Sequence, residues 1–252
     1  MTNAPRSLID NESSFVGSNA LDRGVVVAAV LAYGLFSWSG LPVHAVADEI
    51  PILKSAYEVI ATASLRLQSP STYSAWTHLV HLPGLLLYWL AWAVAQGLPP
   101  LAEIKRAVLA DYQMALMAMR MCNGLFFVFS LWLAKRVGDE TVGRPDGLWL
   151  ILFLAANALI LAQAHTIKHW IPGHSLALCA IYLVHAAHRD KSLLRAAFGY
   201  FVMALSVLLL PVTIFLMPIF LLLFVHHQGW RLRPFLLHAG LLAVSAGAGW
   251  FL

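Results

Sequence analysis

The chain predicts an all-α, polytopic membrane helical bundle of about seven spans, with interfacial helices in a long first outer loop. Three observations carry that expectation. Sixty percent of its 252 residues are apolar and 11% are charged, against about 25% charged in an ordinary soluble domain, and mean hydropathy is +0.76. Several uncharged runs approach the ~20 residues a helix needs to cross a hydrocarbon core of roughly 30 Å. Lys and Arg gather in the short connections between those runs, where the positive-inside bias places them.

Taken in order, residues 1–23 are polar and mixed in charge, carrying Arg6 and Arg23, and are expected to be a cytoplasmic N-terminal segment. Residues 24–252 form the transmembrane module. The first apolar run, Gly24 to Val43, is followed by no clean small-residue cleavage site, so a retained span is expected rather than a removed signal peptide. Next comes HAVADEIPILKSAYEVIATAS, residues 44–64, where Asp48 and Glu49 stand just outside the span. Pro51 suits the first turn of a helix, and Ile52, Ala56, Tyr57, Val59, Ile60, Ala63 and Leu67 recur at three- and four-residue steps. This predicts a short amphipathic helix lying on the bilayer and terminated by Ser69, Pro70 and Ser71.

HLVHLPGLLLYWLAWAVAQG, residues 78–97, opens with two histidines and Pro83 and carries Tyr88, Trp89 and Trp92, residue types that favour the interface. It is expected to be a re-entrant or surface helix. Crossing helices are expected over Tyr112 to Ala134, Leu148 to Ala164, Trp170 to His188, Leu193 to Leu210, Pro211 to His226 and Phe235 to Leu252. Three basic clusters punctuate them: Lys135, Arg136 and Arg144; Arg189, Lys191 and Arg195; Arg231 and Arg233. Two spans separate successive clusters, which puts all three on one side, taken as the cytoplasm. The outer segments are then His44 to Asp111 and HTIKHWIPG, His165 to Gly173. An external N-terminus with every apolar run crossing is the alternative, and it would move Asp48 to the cytoplasm. Leu193 to His226 is too long for one span; Pro211 and Pro218 predict a helical hairpin turning near Pro211.

The net charge of +4 does not point to nucleic acid, because no basic run is interleaved with aromatics. Cys122 and Cys179 fall inside apolar runs and form no CxxC pair, so no disulfide is expected.

Few residues here carry chemistry. Asp48 and Glu49 complement the positive end of a helix dipole and suit a polar helix start. At an outer membrane boundary, a carboxylate also serves as general base for a hydroxyl or amine, or holds a divalent cation that neutralises a phosphate leaving group. His165 and His169 stand at helical spacing with Lys168 between them, and His174 follows. A divalent metal ion at Asp48, His169 and His174 is one reading and hydrogen-bonded surface histidines the other, since HExxH is absent. Lys168 is a cation suited to a phosphate diester. Gly173, His174 and Ser175 lack the GxSxG elbow of a serine hydrolase. Arg120 precedes Lys135 by fifteen residues, about 22 Å of helix, which places it in the outer leaflet. There it either snorkels or meets an anion such as a prenyl phosphate.

The order of these features resembles the front module of the GT-C membrane glycosyltransferases, the superfamily of protein O-mannosyltransferases and the aminoarabinose transferase. A first span is followed by an outer acidic motif, here ADEIP; then by a proline and an aromatic-rich run, here HLPGLLLYWLAWA; then by an Arg-led helix ending in basic residues, here MRMCNGLFFVFSLWLAKRVG. The resemblance runs from about Gly24 onward. It implies transfer of a sugar from a polyprenyl-phosphate donor to a lipid, glycan or protein acceptor, with inversion, in the outer face of a bacterial inner membrane. Asp48 would be the general base or metal ligand and Glu49 its helper, with Arg120, Lys168, His165 and His169 on the donor phosphate. Two departures stand out. The family commonly has a carboxylate in the second outer loop, where this chain has HTIKHWIPGHS, and its enzymes continue beyond the length seen here. A transporter or flippase for a polyprenyl-linked or other amphipathic lipid, and a truncated non-enzymatic membrane scaffold, are the competing expectations.

Overall fold

The structure, a computed structural model, describes residues 24–25, 27–31, 33–34, 49–64, 79–97, 100–141, 154, 166–167, 169–228 and 231–251. Every regular element among them is a helix.

Helix α1, Glu49–Thr62, opens with Glu49 and has Pro51 in its first turn, where a missing N–H costs nothing. Its buried face holds Ile52, Leu53, Ala56, Val59 and Ile60, the stripe expected from periodicity. That stripe packs on Leu85, Ile104, Val108, Leu116 and Met119, so protein rather than lipid covers it. The helix also ends earlier than its apolar pattern implies. Ala63 adopts a left-handed φ of 49°, its N–H turning back to the Ile60 carbonyl at 3.4 Å. The Thr62 hydroxyl donates to the Glu58 carbonyl, 2.7 Å away, within the last turn. Leu67 and the expected terminator at Ser69 to Ser71 lie outside the described residues.

Helix α2, Leu82–Ala95, starts with Pro83 in its first turn and is followed by Gly97 at φ 81°. Its fourteen residues span about 21 Å, short of a roughly 30 Å hydrocarbon core. That length suits the expected re-entrant or surface helix. Gly84 lets it lie directly against the helix that carries Ala118: a Cβ there would sit 2.8 Å from the Ala118 carbonyl carbon. A 3-10 turn, Leu101–Glu103, leads into α3, Ile104–Ala110. Tyr88 fastens α2 to α3 by donating to the Ala107 carbonyl at 2.7 Å.

Helix α4, Tyr112–Thr141, is started by the Asp111 carboxylate, which accepts the Met114 N–H at 3.1 Å. Helix α5 is Trp170–Asp190. Two stretches, Tyr112–Glu140 and Trp170–Asp190, are long and apolar enough to cross a membrane; Leu82–Ala95, Leu193–Leu209, Pro211–Val225 and Leu232–Ser245 are shorter apolar helices. Helices α4 and α5 run in the same direction. The Asn123 amide donates to the Thr166 carbonyl near their starts, the Ser130 and Ser175 hydroxyls meet at 2.6 Å along their length, and Arg189 meets Glu140 at 2.8 Å at their ends. The crossing helix expected between them, 148–164, lies outside the described residues apart from helical residue 154.

Helix α6, Leu193–Leu209, is capped by Ser192, whose side chain accepts the Arg195 N–H. It packs back along α5 through a contact in which Gly199 faces Val184. At Leu210 the backbone becomes extended, a 3-10 segment Pro211–Leu216 follows, and α7, Met217–Gln228, returns. The hairpin expected near Pro211 is therefore present, its turn made by a proline that has no N–H to continue α6. Helix α8, Leu232–Phe251, completes the described chain.

The hairpin is tied to α5 by buried hydroxyls. Ser206 donates to the Gly173 carbonyl at 2.8 Å and lies 3.0 Å from the Thr213 hydroxyl, which donates to the Leu210 carbonyl at 2.8 Å. Such interhelical bonds in apolar surroundings contribute about 0.6 kcal/mol on average and up to about 1.7. Because Ser206 is fully buried, Ser206→Ala should lie toward the upper end of that range in reversible unfolding in mixed micelles. A Thr213→Val change, which removes the second member of the chain, should add less to Ser206→Ala than it costs alone.

Candidate functional site

The site is built where the start of α1 and the residues just before α5 meet the first turns of α4. Glu49, first residue of α1, is fully buried. Its carboxylate receives Arg120 Nε at 3.0 Å on Oε1 and the second guanidinium nitrogen at 2.6 Å on Oε2. Oε1 also accepts the backbone N–H of Ile167 at 3.0 Å. One carboxylate thus joins α1, the third turn of α4 and the loop preceding α5.

The local sequence explains why this pair forms. Arg120 sits on the inward face of α4 with Leu116 and Met119, both fully buried, and an arginine at that depth requires an anion. Its planar fork matches a carboxylate bidentately. The guanidinium is 12% exposed and the carboxylate not at all, so removal of either partner affects the two sides unequally. The start of α1 at Glu49 brings the carboxylate to the helix N-terminus, where the dipole also favours negative charge. Tyr33, in the first apolar run, donates to the Arg120 carbonyl at 2.8 Å, which attaches that run to the same turn.

Of the residues expected to act, Glu49 and Arg120 are therefore brought together, but with each other. Arg120 meets a protein carboxylate in place of the phosphate or the snorkelling geometry expected from sequence. His169 is half-buried one residue before α5, and His174 is exposed in the second turn of that helix. Asp48, Lys168 and His165 lie outside the described residues, as does any hollow between Asp48 and Lys168. Each of the first two is the chain neighbour of a residue in the junction, Glu49 and Ile167. Among the described residues no three His, Cys, Asp or Glu side chains gather into a group able to hold a metal ion. Cys122 and Cys179 are free thiols.

Two residues beyond Arg120 on α4, an apolar cavity of about 500 Å³ opens beside α2, lined by Leu79, Val80, Pro83, Cys122, Leu125 and Phe129 among others. Its volume falls within the roughly 300–1,000 Å³ of small-molecule sites. Its walls offer hydrocarbon and almost nothing polar.

Sequence reasoning missed the ion pair itself. The signal was present: an arginine in a long apolar helix and a pair of carboxylates at the expected depth of the same outer boundary. No model of a known protein family, no curated protein and no solved structure matches the chain.

Proposed function

We propose that the chain is a multi-pass membrane glycosyltransferase module that moves a sugar from a polyprenyl-phosphate donor to a lipid, glycan or protein acceptor on the outer, periplasmic side of a bacterial inner membrane. The observation that carries this reading is the junction at Glu49, which fastens the acidic outer segment and the HTIKHWIPG loop to one turn of α4. Residues 48 and 168, a carboxylate and a cation, are the immediate chain neighbours of two members of that junction. The seven-span count, with α2 as a re-entrant or surface helix, belongs to the same proposal.

In this reaction the acceptor hydroxyl attacks the anomeric carbon from the face opposite the phosphate. Its proton passes to the Asp48 carboxylate, and the bond from the anomeric carbon to the phosphate oxygen breaks, its electron pair leaving with polyprenyl phosphate. Lys168, with His165 and His169 on the same loop, supplies positive charge or hydrogen bonds to that leaving group. Glu49 is the positioning residue: held by Arg120, it fixes the start of α1, directly after Asp48 in the sequence. The apolar cavity beside α2 suits the isoprenoid chain of the donor.

Asp48→Asn should lower sugar release from a labelled polyprenyl-phosphate sugar, assayed in membranes holding equal amounts of inserted protein, by about 10²-fold or more. Washing the membranes with chelator separates two roles for Asp48. Loss that Mg²⁺ or Mn²⁺ restores makes the carboxylate a metal ligand; insensitivity leaves it as base. The mutual engagement of Glu49 and Arg120 also suits a scaffold with no chemistry, and transfer unchanged by Asp48→Asn would select that alternative.

A further inference from the structure

At the opposite end of α5, about 30 Å of helix from the Glu49 junction, lies a second polar centre that the transfer reaction does not use. A cavity of about 430 Å³ is bordered there by His188, Lys191, Ser192, Arg233 and His238. No carboxylate is among its described lining residues. The nearby acids are engaged elsewhere: Asp190 with Arg189 and Arg195, Glu140 with Arg189 and His185. No ion pair of Lys191 or Arg233 occurs among the described residues.

Two helices begin at this cavity. Leu193 is the first residue of the seventeen-residue α6, and Arg233 and Pro234 lie in the first turn of the twenty-residue α8. The positive ends of two helix dipoles therefore lie beside it, although the Arg195 N–H of α6 is taken by Ser192 and Pro234 of α8 has no N–H to offer. His188 is 5% exposed, and its Nε2 has no hydrogen-bond partner among the described residues. Its ring is 4.7 Å from that of His238, whose Nδ1 is held by the Tyr200 hydroxyl at 2.8 Å, leaving Nε2 of His238 for another partner. Behind them His227 and His185 continue the series, with a ring nitrogen of each 3.2 Å apart. Lys191 itself holds a left-handed φ of 55° at the end of α5, a position where glycine is the easier residue. A cation is thus kept at a strained position beside an otherwise unneutralised group of cations and donors.

We propose that this cavity is a binding site for a phosphate group, contacted by Lys191, Arg233 and the imidazoles of His188 and His238 on the side of the protein that carries the basic clusters. The volume exceeds what a bare phosphate fills and leaves room for an ester substituent. A phospholipid headgroup and a soluble phosphate present the same chemistry. The inference does not depend on sugar transfer at the other end of the bundle.

The test titrates the purified full chain, in an uncharged detergent at constant ionic strength, with inorganic phosphate, glycerol 3-phosphate and dihexanoylphosphatidylglycerol, read by calorimetry. Saturable binding that weakens about tenfold or more in Lys191→Gly/Arg233→Gln is the expected result. Binding of the soluble phosphates assigns a soluble source, and binding of the lipid alone assigns a headgroup. Lys191→Gly relaxes the left-handed cap while removing a charge, so thermal stability should hold or rise as binding falls, a combination that a merely structural lysine would not produce. Arg233→Gln, at an exposed position of α8, repeats the test without touching the α5 cap. No saturable binding of any of the three probes, or equal binding by wild type and both variants, overturns the proposal.

Discussion

Arg120→Met is expected to destabilise the protein by about 3–5 kcal/mol, because it takes the guanidinium away from the fully buried Glu49 carboxylate and leaves that charge without its ion-pair partner. Glu49→Gln should cost less. The amide oxygen still accepts from Ile167, and the partly exposed Arg120 can extend its guanidinium toward the polar boundary. The double variant, Glu49→Gln with Arg120→Met, should be more stable than Arg120→Met alone, since no charge is then stranded. The four proteins form a cycle in which the pair is strongly non-additive. Equilibrium unfolding in mixed micelles measures it, and additive effects of the two changes would remove the ion pair from the account of this fold.

Gly84→Val should have the next largest effect, about 1–3 kcal/mol or more. A Cβ at position 84 falls inside van der Waals contact of the Ala118 carbonyl oxygen and 2.9 Å from Cys122 Sγ. The first obstacle is backbone and cannot rotate away, so α2 has to move off α4. Close backbone approach at a small residue is the usual basis of helix association in lipid. Separation would uncover Cys122, which is 9% exposed in the native packing, so alkylation by a maleimide should accelerate together with the loss of stability. Gly240→Ala on α8 is the control: nothing lies within 4 Å of a Cβ there, so alkylation should be unchanged and stability should hold or rise by up to about 1 kcal/mol, the helix-propensity gain of Ala over Gly. Unaltered alkylation in Gly84→Val would show that α2 and α4 do not touch at this point.

What could be read without coordinates depended on whether the determining interaction was local. Pro51 and the apolar steps that follow placed α1, and Pro211 placed the turn between α6 and α7, because a proline and a three-to-four residue rhythm act within one or two turns of helix. The end of α1 was misjudged for a related reason. Leu67 prolonged the rhythm, while the left-handed Ala63 that ends the helix has no compositional mark. Glu49 and Arg120 are 71 positions apart; each was visible as a charge in an apolar setting, but their pairing depends on how α1 docks on α4. The same holds for His188 and His238, on helices α5 and α8, whose meeting no local spacing encodes. The importance of Asp48 and Lys168 continues to rest on their places in the sequence beside Glu49 and Ile167.

The carboxylate clasp at residue 49 also imposes a schedule on biogenesis. Ribosomes deliver Glu49 and Arg120 well before Ile167, the amide arriving several seconds afterwards at ~5–20 residues per second. Until then the nascent chain holds two opposite charges whose third attachment has not been synthesised. Completion of the junction around Glu49 is therefore coupled to synthesis of the segment leading into the helix that begins at Trp170, and an early translation arrest would leave the carboxylate without its Ile167 bond.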